Sequence, residues 1–230
     1  MLVRVAHYAL LSGLCQLIPL PFIDDAADRQ VRKRLVGSVL ARRGRTFDPD
    51  HVRPLYAGPT RGLAGRAASF GKSLVLKPIR KLFRTVFFVV TIRRALIESA
   101  EALLLGHTLD RLLADGWLAD GASRDELARQ AEAIQQAVGA TVASPERRGL
   151  MQLVRATVRR HRPSRSDADA SPPAATEPEA ALTDAGRERL DRAADDLAGR
   201  LDSAEGRSML DRLDASIDRH LAASTSRQTN

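Results

Sequence analysis

VAHYALLSGLCQLIPLPFIDDAADRQVRKR, Val5 to Arg34, is the stretch that decides the fold. Its first part, Val5–Ile23, contains no Asp, Glu, Lys or Arg. Leu2, Val5, Ala9, Leu10, Gly13, Leu14, Leu17 and Ile18 predict a helix over 2–18, apolar nearly all round. Such a helix belongs at the centre of a bundle or inside lipid. Pro19 and Pro21 then impose an extended corner, because each disfavours helix in the residue before it. Asp24 or Asp25 is expected to cap a second helix over 26–43, since acids suit the positive end of the helix dipole. Val5–Ile23 approaches the ~20 residues of a membrane span. His7, Ser12 and Gln16 interrupt it, however, and the prolines stop the helix about a turn short of a comfortable span. A cleaved leader is not expected, because no small-x-small site follows.

The second helix is amphipathic and basic. Val31, Leu35, Val39, Ala27 and the stem of Arg42 line one side, and Arg29, Arg32, Lys33, Arg34, Arg43 and Arg45 dominate the rest. Gly44 is placed to end it. Residues 45–78 are punctuated by proline and glycine, with Asp48-Pro49-Asp50 able to open a short helix. Pro78 suits the first turn of a long helix over 78–115 carrying Leu82, Phe83, Val86, Val90, Ile97, Leu103 and Leu104. A break at Gly106 is allowed for, and Gly116-Trp117 is the expected end. Ser123 and Glu126 form a capping box for a helix over 124–142. Ser144-Pro145-Glu146 opens another, which ends in Arg159, Arg160, His161 and Arg162.

Composition agrees with helices. The 230 residues are 44% hydrophobic but only 4% aromatic, so Leu, Val, Ile and Ala must build the core. The expected class is all-α: an irregular bundle over 1–162, a disordered linker over 163–181, and an acidic helical tail over 182–224. In that tail Leu190, Ala194, Leu197 and Leu201 form one narrow apolar stripe, and Leu210, Leu213, Ile217 and Leu221 another. Narrow stripes suit a coiled-coil seam or a docking helix, hence partner binding or self-association.

Charge is unevenly distributed. The formal net charge is +8, yet residues 163–230 carry 9 Lys and Arg against 14 Asp and Glu. Residues 29–94 carry 17 basic residues against two acids, Asp48 and Asp50. Such a field attracts phosphate, on lipid or on nucleic acid. An anionic membrane is the favoured partner, because the basic span follows a segment too apolar for a surface helix. Arg29, Arg32, Lys33, Arg34, Arg42, Arg43, Arg80, Lys81 and Arg84 are the candidate contacts, and Pro19, Pro21, Asp24 and Asp25 the structural corner. The acidic tail could also fold back over the basic helices and mask them. The alternative is a soluble nucleic-acid-binding protein using 29–94.

Catalytic signals are weak. Gly65 to Ser73, GRAASFGKS, departs from a P-loop in spacing and has Arg66 at a glycine position. The five histidines are scattered, no metal-ligand spacing occurs, and Cys15 is the only cysteine. No cofactor, metal or small-molecule substrate is inferred. An enzyme site could be built only around Asp24, Asp25 and Asp28, where it would need a concave pocket beside the corner.

The segment Leu14–Arg34, centred on Ile18-Pro-Leu-Pro-Phe-Ile-Asp-Asp25, resembles a pattern in the EcsC-like family and in the domain of unknown function found beside some bacterial GTPases. There, too, an apolar helix ends in a Pro-x-Pro corner followed by an acid. The resemblance implies a helical, membrane-associated bacterial protein and carries over no catalytic residue. Together these readings lead to an expected non-enzymatic module at the cytoplasmic face of the membrane.

Overall fold

A computed structural model describes residues 1–15, 23–57, 80–161 and 184–228, with the side chains of 14–26, 80–93 and 225–228 excepted. The helices are α1 (Leu2–Cys15), α2 (Ile23–Arg42), α3 (Pro54–Ala57), α4 (Arg80–Ala114), α5 (Arg124–Ala143), α6 (Arg148–Arg160), α7 (Asp184–Leu201) and α8 (Ala204–Gln228). Short 3-10 turns at Pro49–Val52 and Pro145–Arg147 lead into α3 and α6. No strand occurs among the described residues. The class is all-α, as the apolar periodicity requires.

Local signals set most of the boundaries. Gly44 has φ +70°; its N–H donates to Ala41 O and that of Arg45 to Leu40 O, which closes α2 in a Schellman motif. Gly116, at φ +90°, repeats the device at the end of α4, with Trp117 N–H donating to Leu112 O at 2.9 Å. Ser123 Oγ accepts the Glu126 N–H at 3.2 Å and starts α5. Asp48 accepts the Asp50 N–H at 2.8 Å ahead of Pro49. The start of α2 differs from expectation. The helix begins at Ile23, so Asp24 and Asp25 stand inside its first turn rather than before it. Pro19 and Pro21 lie outside the described residues.

Helix α4 does not break at Gly106. The glycine is there because α1 crosses it: an added Cβ would lie 2.6 Å from Val5 Cγ1 and 3.1 Å from Leu35 Cδ1. One end of α1 therefore meets Gly106, and the other, at Gly13, meets Ala95 and Ser99. The two helices run antiparallel, with small residues letting the backbones approach. Val5, Ala6, Ala9, Leu10 and Leu11 are buried between α2, α4 and α7. The described part of the apolar segment is thus core of the protein.

The C-terminal helices belong to the same core. Leu190, Ala194, Leu197 and Leu201 of α7, and Leu210, Leu213, Ile217 and Leu221 of α8, join one apolar cluster with α1, α2, α4 and α5. Helix α7 packs on α1 and α6, and α8 on α5. The stripes expected to form a docking seam are occupied by the bundle itself. The boundary drawn between a domain at 1–162 and a tail at 182–224 is not visible in the packing. The expected linker, 163–181, lies outside the described residues.

The uneven charge has a structural meaning at this junction. Asp191 pairs with His7 at 3.0 Å and Asp214 with His107 at 3.1 Å. Asp218 pairs with Arg111 at 2.7 Å, and Asp196 with Arg160 at 3.2 Å. The acids of α7 and α8 thus serve as attachments to α1, α4 and α6. Among the described residues, no ion pair joins these acids to Arg29 or Arg42 of α2.

Candidate anionic-surface interface and buried charge cluster

The nine candidate basic residues separate into distinct environments. Arg32 is the clear correction: at 3% relative exposure it belongs to the interior. Its position follows from helical spacing, since Val31, Leu35, Val36 and Val39 are all buried and Arg32 lies among them on the inward face of α2. It cannot contact a surface ligand.

Arg32 instead organises a buried cluster. Its Nε donates to Asp28 Oδ2 at 3.0 Å, one turn earlier on α2. Nη1 donates to Glu101 Oε1 at 3.1 Å and Nη2 to Glu98 Oε2 at 2.5 Å, both on α4. Gln135 of α5 donates to Glu101 Oε1 at 3.3 Å, and Ser12 of α1 donates to Asp28 Oδ1. The guanidinium thus joins α2 to α4, and α1 and α5 bond to the carboxylates it holds. Burial works against the Arg32 charge, but Glu101, Asp28 and Glu98 outweigh it and raise its pKa. The Glu98 carboxyl moves the other way from an ordinary ion pair. Burial, reinforced by Glu101 and Asp28, raises it against the pull of Arg32. One guanidinium facing three carboxylates in a buried site disfavours the charged form of Glu98.

The cluster also takes up Asp28, one of the three carboxylates of the catalytic alternative. Both Asp28 oxygens are engaged, by Ser12 and by Arg32. The side chains of Asp24 and Asp25 lie outside the described set. Among the described residues, surface clefts of about 370 and 330 Å³ lie beside α5 and α8 and between α6 and the α7–α8 turn. Among the described residues, no group of three or more His, Cys, Asp or Glu is arranged to hold a metal ion. No helix among them is long and apolar enough to cross a membrane.

The other candidates lie nearer the surface. Lys33 pairs with Asp50 at 2.8 Å and sits 5.6 Å from the Tyr56 ring centroid. Arg43 forms a two-point contact with Asp110, with Nε donating to Oδ1 at 2.7 Å. Arg34 is half-buried and partnered. Arg29 and Arg42 are exposed and have no ion-pair partner among the described residues. Arg80, Lys81 and Arg84 lie in the first turns of α4, and their side chains are outside the described set.

A basic face that the sequence reading passed over lies on α6. Leu150, Val154 and Thr157 are its buried positions. At about 100° per residue, Arg148, Gln152, Arg155 and Arg159 occupy the opposite pole. All four are exposed, and the three arginines have no ion pair among the described residues. No acid occurs between Arg147 and His161. Val158, 40% exposed, flanks this pole and is one of two large apolar side chains so exposed among the described residues. The signal of this basic face in the sequence is an arginine spacing of seven and four, on the same helix as the apolar positions Leu150 and Val154.

Comparison with family models, with curated proteins and with solved structures returned no match to this chain.

Proposed function

We propose that this chain is a non-enzymatic helical module that associates peripherally with an anionic membrane surface, at the cytoplasmic face. The observation that carries this reading is where the acids are. Within 1–161, Asp28, Glu98 and Glu101 surround Arg32, and Asp110 holds Arg43. These four carboxylates are drawn inward or held by one arginine, while Asp48, Asp125 and Glu132 are exposed, and Arg29, Arg42, Arg148, Arg155 and Arg159 remain outside without ion pairs among the described residues. These exposed arginines form local positive surface that attracts anions. Anionic headgroups attract such a surface by about 1 kcal/mol per basic residue, screened by salt. Burial of the described part of α1 in the bundle favours peripheral attachment over insertion. The resemblance of Leu14–Arg34 to EcsC-like proteins points the same way.

Co-sedimentation with vesicles of phosphatidylcholine, with and without phosphatidylserine, tests the proposal. Pelleting that requires phosphatidylserine and weakens with salt is expected. Equal recovery in the supernatant with both vesicle types would sink the proposal.

A further inference from the structure

We infer that the outer face of α6, formed by Arg148, Arg155 and Arg159 with Val158 at its edge, is the surface that lies on anionic lipid headgroups. The inference rests on the membrane reading above and assigns its contact residues. Three observations select α6 over α2. On α2, Arg32 is buried, and Lys33 and Arg43 have carboxylate partners, leaving Arg29 and Arg42 at separate places on the helix. On α6, three arginines share one pole of a helix without an acid, over about 16 Å of rise. That pole points away from the bundle, since Leu150, Val154 and Thr157 occupy the inward side.

The helix is also held firmly from behind. Asp196 of α7 accepts from Arg160 at 3.2 Å and from Arg200 at 3.0 Å, and lies 3.4 Å from His161 Nε2. The end of α6 is thereby fixed on α7, and Arg160 is oriented sideways from the pole. Arg148, Arg155 and Arg159 are presented together by a rigid element, which suits a two-dimensional array of phosphates. Lipid is favoured over a nucleic-acid backbone by Val158. An exposed valine at the flank of the pole, beside Arg155, gains by entering the interface between headgroups and acyl chains, and has no equivalent gain against a phosphodiester backbone.

The test uses the full chain as wild type, as R148Q/R155Q/R159Q, and as R29Q/R42Q. Each is titrated with phosphatidylserine–phosphatidylcholine vesicles. The triple variant should lose on the order of 100-fold in partition coefficient, about fivefold per arginine, and the α2 double variant distinctly less. Its thermal melt should match wild type, because none of the three arginines has an ion-pair partner among the described residues; should it fold poorly, R155E alone supplies the same comparison. Wild-type binding that survives in the triple variant, or in R155E, overturns the assignment to α6 and leaves the membrane reading standing. Wild type that ignores phosphatidylserine overturns both. Salt-sensitive retention of RNA or DNA that is lost in the triple variant, without vesicle binding, would reassign this face to nucleic acid and overturn the lipid inference.

Discussion

Arg32 and Glu101, 69 positions apart in sequence, are joined by a 3.1 Å hydrogen bond between two nearly inaccessible side chains. The contact ties α2 to α4 at the centre of the bundle. With Asp28, Glu98, Gln135 and Ser12 around it, it joins the elements of the N-terminal half through charge as well as through apolar packing.

Replacing Arg32 should be costly, because it leaves carboxylates buried without their cation. Arg32→Met is expected to lose about 3–5 kcal/mol of unfolding free energy in urea at neutral pH. Arg32→Lys should recover only part of it, since an ammonium cannot reproduce a fork directed at three carboxylates. A loss below about 1 kcal/mol for Arg32→Met would show that the cluster is not the junction described.

Glu98 should give stability an identifiable pH dependence. Its raised pKa means that the folded protein binds a proton at Glu98 more tightly than the unfolded chain does. The contribution is then present at low pH and lost as pH rises through the ordinary carboxylate range and up to the folded value. Glu98→Gln should therefore gain on wild type as pH increases. Asp196 is lowered by Arg200 and Arg160, which outweigh its burial, so its contribution has the opposite sign and is lost as pH falls. Asp196→Asn should accordingly lose its disadvantage in acid. Urea titrations across pH, compared pairwise with wild type, would show both slopes; parallel curves would refute the assignments.

Glycine substitutions should divide by position within helices. Gly106→Ala places a Cβ against Val5 and Leu35 and should cost about 1–3 kcal/mol. At Gly139 in α5 an added Cβ meets nothing within 4 Å. Gly139→Ala should therefore stabilise by up to about 1 kcal/mol through helix propensity alone. Chemical denaturation of the pair gives opposite signs if α1 crosses α4 at Gly106.

Tyr56 offers a spectroscopic check on the contact between α3 and the 3-10 turn before it. Burial and its 2.6 Å hydrogen bond to Asp50 push the phenol up to about 12. Ultraviolet titration of wild type against Tyr56→Phe should assign a late-ionising phenol to this residue. Ionisation of the Tyr56 phenol at the ordinary value near 10 would show that the contact with Asp50 does not form.

Local order was legible because it depends on neighbours in sequence. Gly44, Gly116 and Ser123 end or begin helices through hydrogen bonds spanning a few residues, and those signals can be read directly. The apolar stripes of 184–221 were equally legible as stripes. What they pack against was not, because a narrow seam looks the same whether its partner is another chain or α1 and α5.

The sequence by itself determined an all-α chain, helices ended by identifiable glycines and caps, and an excess of positive charge before residue 163. Only the tertiary structure decided which charges face outward. Arg32 and Arg155 are the same residue type on amphipathic helices; one is enclosed by three carboxylates and the other stands opposite the buried face of α6. The difference comes from the rotation of each helix against its neighbours. That rotation is set by long-range packing at sites such as Gly106 and Val5, and composition alone does not encode it.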